Sequence, residues 1–189
     1  MASNRKHMTI AVLALQGAFI EHERMLERLG CKTFEIRQLA DWDRHKDALV
    51  IPGGESTTMM RLLKDEELFE PIQKAIKEGL PVMGTCAGMI LLSEGRLETM
   101  DISVRRNAYG RQLGSFNTIG VIEGIGTDIP MTFIRAPYIE KVWGKAEAIA
   151  VVDGNIVAAK QDRQLACSFH PELTEDTRWH EYFIRICNG

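Results

Sequence analysis

No stretch of this 189-residue chain gathers lysine and arginine into the kind of block that follows a phosphate backbone: 23 basic residues are scattered among 26 acidic ones, for a net charge of -3. Nucleic acid is therefore not an expected partner. No apolar run approaches the roughly 20 residues that a membrane-spanning helix needs, so a membrane is not expected either. The four cysteines, Cys31, Cys86, Cys167 and Cys187, form no CxxC pair and no Cys/His cluster of metal-ligand spacing. A chain of this length has no need of a disulfide frame, so a reducing, cytoplasmic setting fits. The opening residues, Met1 to His7, are polar and lack the apolar core of a secretory signal. They read as a disordered tail or a cloning remnant ahead of a start near Met8.

What the sequence does have is a 45% hydrophobic composition, enough to bury a full-sized core, and a regular alternation of strand-like and helix-like segments. There is no repeat, linker or low-complexity stretch, so one domain over 8–189 is expected. Thr9 to Leu15 is a continuous apolar run closed by Gln16-Gly17, the pattern of a parallel strand buried on both faces. Ala18 to Leu29 then spaces Phe19, His22, Met25, Leu26 and Leu29 as a helix does, with Gly30 as its stop. Cys31 to Ile36 and Ala48 to Ile51 read as strands, and Ser56 is placed to cap a helix carrying Met59, Met60, Leu62 and Leu63. A helical stretch from Glu66 to Lys77 precedes the strand Pro81 to Thr85. This βαβ rhythm predicts an open, mostly parallel sheet with helices on both faces.

The second half predicts short strands at Ile102–Arg106, Met131–Arg135, Ala146–Val152, Ile156–Lys160 and Leu165–Phe169, with a hairpin turn at Asp153-Gly154. A closing amphipathic helix from Glu175 to Cys187 would bury Trp179, Tyr182, Phe183 and Ile186. The methionines Met59, Met60 and Met89 fall at helical spacing and read as core.

Three short strings carry chemistry. Gly84-Thr85-Cys86-Ala87-Gly88 sits between a buried strand and the apolar stretch Met89-Ile90-Leu91-Leu92, the sequence form of a nucleophile elbow with sulfur in place of a hydroxyl. Its small neighbours permit a strained strand-to-helix turn, and the helix N-terminus favours thiolate. An inert cysteine at a tight turn would look the same. His170-Pro171-Glu172 follows a strand, and strand alternation would point both side chains to one side, as a base and its orienter require; the alternative is a turn with a packed histidine and a solvated glutamate. Pro52-Gly53-Gly54-Glu55-Ser56 ends another strand, where glycines can present N–H groups to an oxyanion. It also suits a loop that merely enters a capped helix, and the two readings are compatible.

Together these strings resemble the class I, or triad, glutamine amidotransferase family, which implies a flavodoxin-like α/β domain that hydrolyses glutamine through a Cys-His-Glu triad. Within that family the similarity runs to the glutaminases of pyridoxal 5'-phosphate synthesis. It is carried by Leu13-Ala14-Leu15-Gln16-Gly17-Ala18 with Glu21-His22, PGGEST (Pro52–Thr57), GTCAGMILL (Gly84–Leu92), RNAYGRQ (Arg106–Gln112), FIRAPYI (Phe133–Ile139) and CSFHPELT (Cys167–Thr174), nearly the whole chain from Met8. The resemblance implies Cys86 as nucleophile, His170 as base and Glu172 as its orienter. It puts Gly54, Glu55, Ser56, Arg106, Ile134 and Arg135 on the glutamine, Gly54 and Ala87 at the oxyanion, and Gln16 near both the oxyanion site and a partner contact. A zwitterionic head group does call for a carboxylate and guanidinium groups.

The implied reaction is a glutamyl thioester cycle yielding glutamate and ammonia without metal or cofactor. Ammonia released into neutral water is largely protonated, so the implied partner receives it directly. By resemblance that partner is a barrel-shaped, multimeric synthase subunit building pyridoxal 5'-phosphate from a pentose phosphate and glyceraldehyde 3-phosphate. Activity of the isolated chain is expected to be weak if docking completes the oxyanion loop. Two rivals stand beside this reading: a triad glutaminase serving another synthase, such as that of imidazole glycerol phosphate, and a non-catalytic scaffold or redox sensor of the same fold. One departure from the family pattern is the short Ser93-Glu94-Gly95-Arg96-Leu97-Glu98 segment before Met100-Asp101, and the stretch after Cys187 is also brief.

Overall fold

The computed structural model describes residues 7–106 and 115–189. Strand β1 (Thr9–Leu13) is buried at every position after its first, as an unbroken apolar run in the middle of a sheet should be. The chain continues through α1 (Phe19–Arg28), β2 (Lys32–Ile36), α2 (Leu39–Trp42), β3 (Ala48–Ile51), α3 (Ser56–Asp65), α4 (Phe69–Lys77), β4 (Val82–Thr85) and α5 (Ala87–Leu92). It then adds β5 (Ile102–Arg105), β6 (Ser115–Ile122), β7 (Gly126–Ile134), β8 (Tyr138–Val142), β9 (Glu147–Val152), β10 (Asn155–Gln161) and β11 (Gln164–Cys167), a 3-10 turn at Pro171–Leu173, and α6 (Arg178–Asn188).

The main sheet runs β2-β1-β3-β4-β11-β10-β8-β5, with β9 against β10. From β2 to β11 every pairing is parallel, and beyond β11 every pairing is antiparallel. The expected open, mostly parallel sheet is therefore present at the centre, and β11, β10, β9, β8 and β5 of the second half extend it. A second sheet pairs β6 with β7 antiparallel.

Helices cover both faces because successive strand side chains point to opposite sides. On one face Ile10, Val12, Val50, Met83 and Leu165 pack with Leu26 of α1 and with Trp179 and Phe183 of α6; on the other, Leu13, Leu49, Ile51 and Val82 pack with Met59 and Leu63 of α3, Ile72 of α4 and Leu91 of α5. Phe183 and Trp179 are almost entirely buried, and truncating either to alanine would cost about 3–5 kcal/mol. Among the described residues no helix is long and apolar enough to cross a membrane.

Several expectations need correction. Ser56 does not cap α3: it is the first helical residue, and Glu55 is the cap, its carboxylate accepting from Thr57 N at 3.1 Å and Thr58 N at 2.6 Å. A carboxylate satisfies two orphan N–H groups where a hydroxyl satisfies one. The stretch Glu66 to Lys77 is not one helix, because Glu67 takes a left-handed φ of 58° and α4 starts only at Phe69. In α6 the fully covered side chains are Trp179, His180, Phe183 and Cys187, while Tyr182 and Ile186 are half-buried. The Asp153-Gly154 turn is as expected: both residues have positive φ, 50° and 80°, and Asn155 pairs with Val152.

Candidate active site

Three adjacent parallel strands, β3, β4 and β11, end side by side, and each delivers one of the chemistry-bearing strings. Gly53 follows β3, Cys86 follows β4, and His170 follows β11. They open into a cleft of about 560 Å³ lined by Gly53, Gly54, Cys86, Ala87, Arg106 and Arg135, among others. Its position outside the carboxyl ends of the strands is where open α/β sheets bind ligands.

Cys86 caps α5 with φ 53° and ψ -108°, a backbone conformation a side-chain-bearing residue rarely adopts. Its neighbours explain how the turn is tolerated. A Cβ on Gly84 would lie 2.6 Å from Gly88 O, and one on Gly88 would lie 1.9 Å from Ile51 O, so only glycine lets helix α5 start this close to β3. The turn is tied down by Cys86 N donating to Cys167 O at 2.8 Å. Gly53 is equally constrained, since a Cβ there would meet His170 Cε1 at 2.6 Å.

His170 Nδ1 lies 2.6 Å from Glu172 Oε1, leaving Nε2 for the cleft. The expected mechanism of alignment was strand alternation; the structure uses the 3-10 turn Pro171–Leu173 instead, which curls the Glu172 carboxylate back beneath the imidazole. Both residues are buried. Burial by itself would lower the His170 pKa, but hydrogen bonds to Cys86 and Glu172, with their negative charge, outweigh it and raise the value to about 10. Burial would likewise raise Glu172, yet the facing His22 and His170 hold it below the usual carboxylate range. The dyad thus favours an imidazolium beside the thiol.

The end of the cleft away from Cys86 mixes signs. Arg106 Nη1 donates to Thr57 Oγ1 at 2.9 Å and to Ser56 Oγ at 3.4 Å, which fixes the guanidinium over the start of α3. Arg135 stands at φ 43° on the exposed rim beside Ile134, and among the described residues it has no ion-pair partner. Glu55, although exposed, is held down to about 2 by its hydrogen bonds with Thr58 and Thr57 and stays ionised throughout the neutral range. Gln16 reaches across from the loop after β1, accepting from Glu55 N at 2.7 Å, while Ala18 N donates to Gly53 O at 3.3 Å. Because a trans peptide sets C=O and N–H on opposite sides, Gly54 N–H is turned away from Ala18.

Every site residue expected from sequence is therefore brought to this cleft or its immediate backing, with Glu172 behind His170 and Gln16 behind Gly54. The rest of the RNAYGRQ string, 107–112, lies outside the described residues. Sequence reasoning missed the cleft-lining Gly17, Ala18, Ile90, Pro137 and Leu173. Gly17 had a signal, its place directly after a buried strand; it has φ +93° and no room for a Cβ, which would lie 1.6 Å from Gly53 O. His22 stood in the Glu21-His22 part of the resemblance with no role attached, and His180 had no signal of a link to the site. The short Ser93–Glu98 segment folds as a tight turn, with Ser93 Oγ donating to Ile90 O at 2.6 Å and Leu97 fully buried.

A thiol on a strand-to-helix elbow beside a histidine–carboxylate pair, on an open α/β sheet, is the equipment of a protein built for acyl transfer through sulfur. Within that class, the chain belongs to the SNO glutamine amidotransferase family, whose model matches residues 12–189. It is 57% identical to the pyridoxal 5'-phosphate synthase subunit PdxT of Methanocorpusculum labreanum, over 96% of this chain and 99% of that protein. It is 52% identical to the subunit of the same name from Streptococcus pneumoniae, over 95% of this chain and 98% of that protein. Among solved structures, one described as a glutamine amidotransferase superposes with a TM-score of 0.88 at 39% identity, covering 95% of this chain and 99% of the other.

Proposed function

We propose that this protein is a glutaminase, one domain over 8–189, that hydrolyses L-glutamine to L-glutamate and ammonia and passes the ammonia to a pyridoxal 5'-phosphate synthase subunit. The observation that carries the reading is the meeting of the Cys86 elbow with the His170–Glu172 pair across the paired strands β4 and β11. The names of its relatives support the acceptor. Cys86 Sγ, as thiolate, attacks the side-chain amide carbon. The carbon–nitrogen bond breaks as His170 gives its proton to the departing nitrogen, leaving a glutamyl thioester and free ammonia. A water then attacks the thioester carbon, His170 takes its proton, and glutamate leaves as the sulfur–carbon bond breaks. Glu172 stays ionised throughout and stabilises the imidazolium that forms.

Main-chain N–H groups at Gly54 and Ala87 are assigned to the oxyanion. The substrate's α-carboxylate is assigned to Arg106 and Arg135 and its ammonium to Glu55, with Ser56 and Ile134 completing the contact surface; all of these line the one cleft. Four free cysteines suit a reducing, cytoplasmic setting. The test is glutamate release with and without a multimeric pyridoxal 5'-phosphate synthase core, beside a Cys86→Ala control. Synthase-stimulated, Cys86-dependent turnover is expected. Turnover that a different synthase stimulates would move the acceptor, and no turnover in any mixture would sink the enzyme reading.

A further inference from the structure

The Glu172 carboxylate has two oxygens, and the dyad uses only one. Oε1 is taken by His170, whereas Oε2 is fully buried and makes no hydrogen bond, with His22 Nε2 standing 3.4 Å away. His22 comes from α1, an element that contributes nothing else to the chemistry, and it is completely buried. Its Nε2 is also 3.1 Å from Thr85 Oγ1, the residue immediately before the nucleophile, and its Nδ1 is 2.9 Å from His180 Nε2 on α6. His22 therefore bridges the end of β4, which carries Cys86, and the turn after β11, which carries Glu172.

The tautomer follows from elimination. A lone pair on His22 Nε2 would face a buried carboxylate and would force Nδ1–H to donate to His180 Nε2. His180 would then carry its proton on Nδ1, which is buried with no partner, and an unpaired buried donor costs about 1–3 kcal/mol. The opposite arrangement avoids both penalties. His180 Nε2–H donates to His22 Nδ1, His22 Nε2–H points at Thr85 and leans toward Glu172 Oε2, and only an acceptor is left idle. Burial lowers the pKa of both imidazoles, so the pair is neutral near pH 7. The titratable groups acting on His22 are Glu172, His170, Glu21 and His180.

We infer that His22 is a positioning residue: through a neutral N–H it holds the second oxygen of Glu172 and the end of β4 in one frame, with His180 fixing its tautomer. A full cation there would compete with His170 for the carboxylate; a neutral dipole keeps Glu172 ionised and in place. The inference rests on the glutaminase reading for its consequence in turnover, but its geometry is testable without it.

The experiment compares wild type, His22→Leu and His22→Gln, with thermal melting of each, in two readouts. The first is the pH profile of Cys86 alkylation by iodoacetamide, which needs no glutamine. The second is kcat and KM for glutamine in the presence of a pyridoxal 5'-phosphate synthase core. We expect His22→Leu to displace the alkylation profile by about one pH unit, a tenfold change in reactive thiolate at a given pH. The same variant should lower kcat about tenfold with KM within about twofold, and His22→Gln, which retains an amide N–H, should recover most of both. A folded His22→Leu with an unchanged alkylation profile overturns the inference, as does a His22→Gln that behaves like leucine. If wild type fails to turn over glutamine while the alkylation profiles still separate, the function fails and the positioning role stands.

Discussion

The parallel and antiparallel halves of the main sheet treat their side chains differently. In the parallel half, β1, β3, β4 and β11 are buried along nearly their whole length, and the residues at their carboxyl ends inherit that rigidity: Gly53, Cys86 and His170 sit where backbone packing leaves no alternative. In the β6–β7 hairpin more and less covered positions alternate, and the region from β5 to the end of β7 supplies Arg106, Ile134 and Arg135 on the cleft's rim. Groups that must be placed to a fraction of an ångström come from the tightly packed half of the fold, whereas the two arginines proposed to hold the substrate's carboxylate come from its edge.

That division can be broken in order of severity. Cys86→Ala should abolish synthase-stimulated glutamine hydrolysis, a loss of at least about 10³-fold, while leaving the melting curve intact, since the thiol deletion relieves rather than creates crowding. Next, Gly53→Ala should drive its methyl into the imidazole and lower kcat about 10²-fold by displacing His170. A comparable kcat to wild type would mean that His170 tolerates movement and that the rigid half is less exacting than its packing implies. Arg135→Ala, on the rim, should instead raise KM about tenfold with little change in kcat, the mark of lost ground-state binding. Arg106→Ala should do the same more weakly on binding while also loosening its hydrogen bonds at the start of α3.

A pH experiment separates the same halves through stability. His170 titrates at about 10 when folded against an ordinary value near 6.5. The folded state therefore binds the extra proton between those values. The stabilisation is fully present below about pH 6.5 and is lost as pH rises through about 10. Glu172, held below its ordinary range, contributes above about pH 4.5 and loses that contribution as pH falls through its folded value. Glu172→Gln should flatten both limbs of the denaturant midpoint plotted against pH, whereas Arg135→Ala should leave the curve's shape unchanged. The smallest effect belongs to the exposed cap: Glu55→Ala should lower the melting temperature by about 2–4 °C through the lost N-terminal hydrogen bonds of α3.

How much of this was legible in the residues follows the same boundary. The parallel strands announce themselves as unbroken apolar runs, and the elbow, the Gly-Gly turn and the His-Pro-Glu string each stand next to one. Strand β6 was not legible because its middle is inverted: Ile119 and Val121 point outward while Thr118 and Gly120 lie on the covered side between Phe116 and Ile122, which interrupts the hydrophobic alternation. Helix α2 is a single turn and β8 hides behind Pro137, both too short to show a period. Glu55 as the true cap was obscured by the serine beside it, which is the commoner capping residue.

By itself the sequence determined the order of the strands and the longer helices in the first half, the residue types of the site and the family, because apolar runs, glycine spacing and short motifs are local properties of the chain. Only the tertiary structure decided that three strings spread over residues 52–172 end on neighbouring strands, that a 3-10 turn rather than strand alternation aligns Glu172, and that His22 and His180 stand behind it. The reason is that parallel pairing and burial join residues by position across a sheet, and no local pattern encodes which strand end will lie beside which.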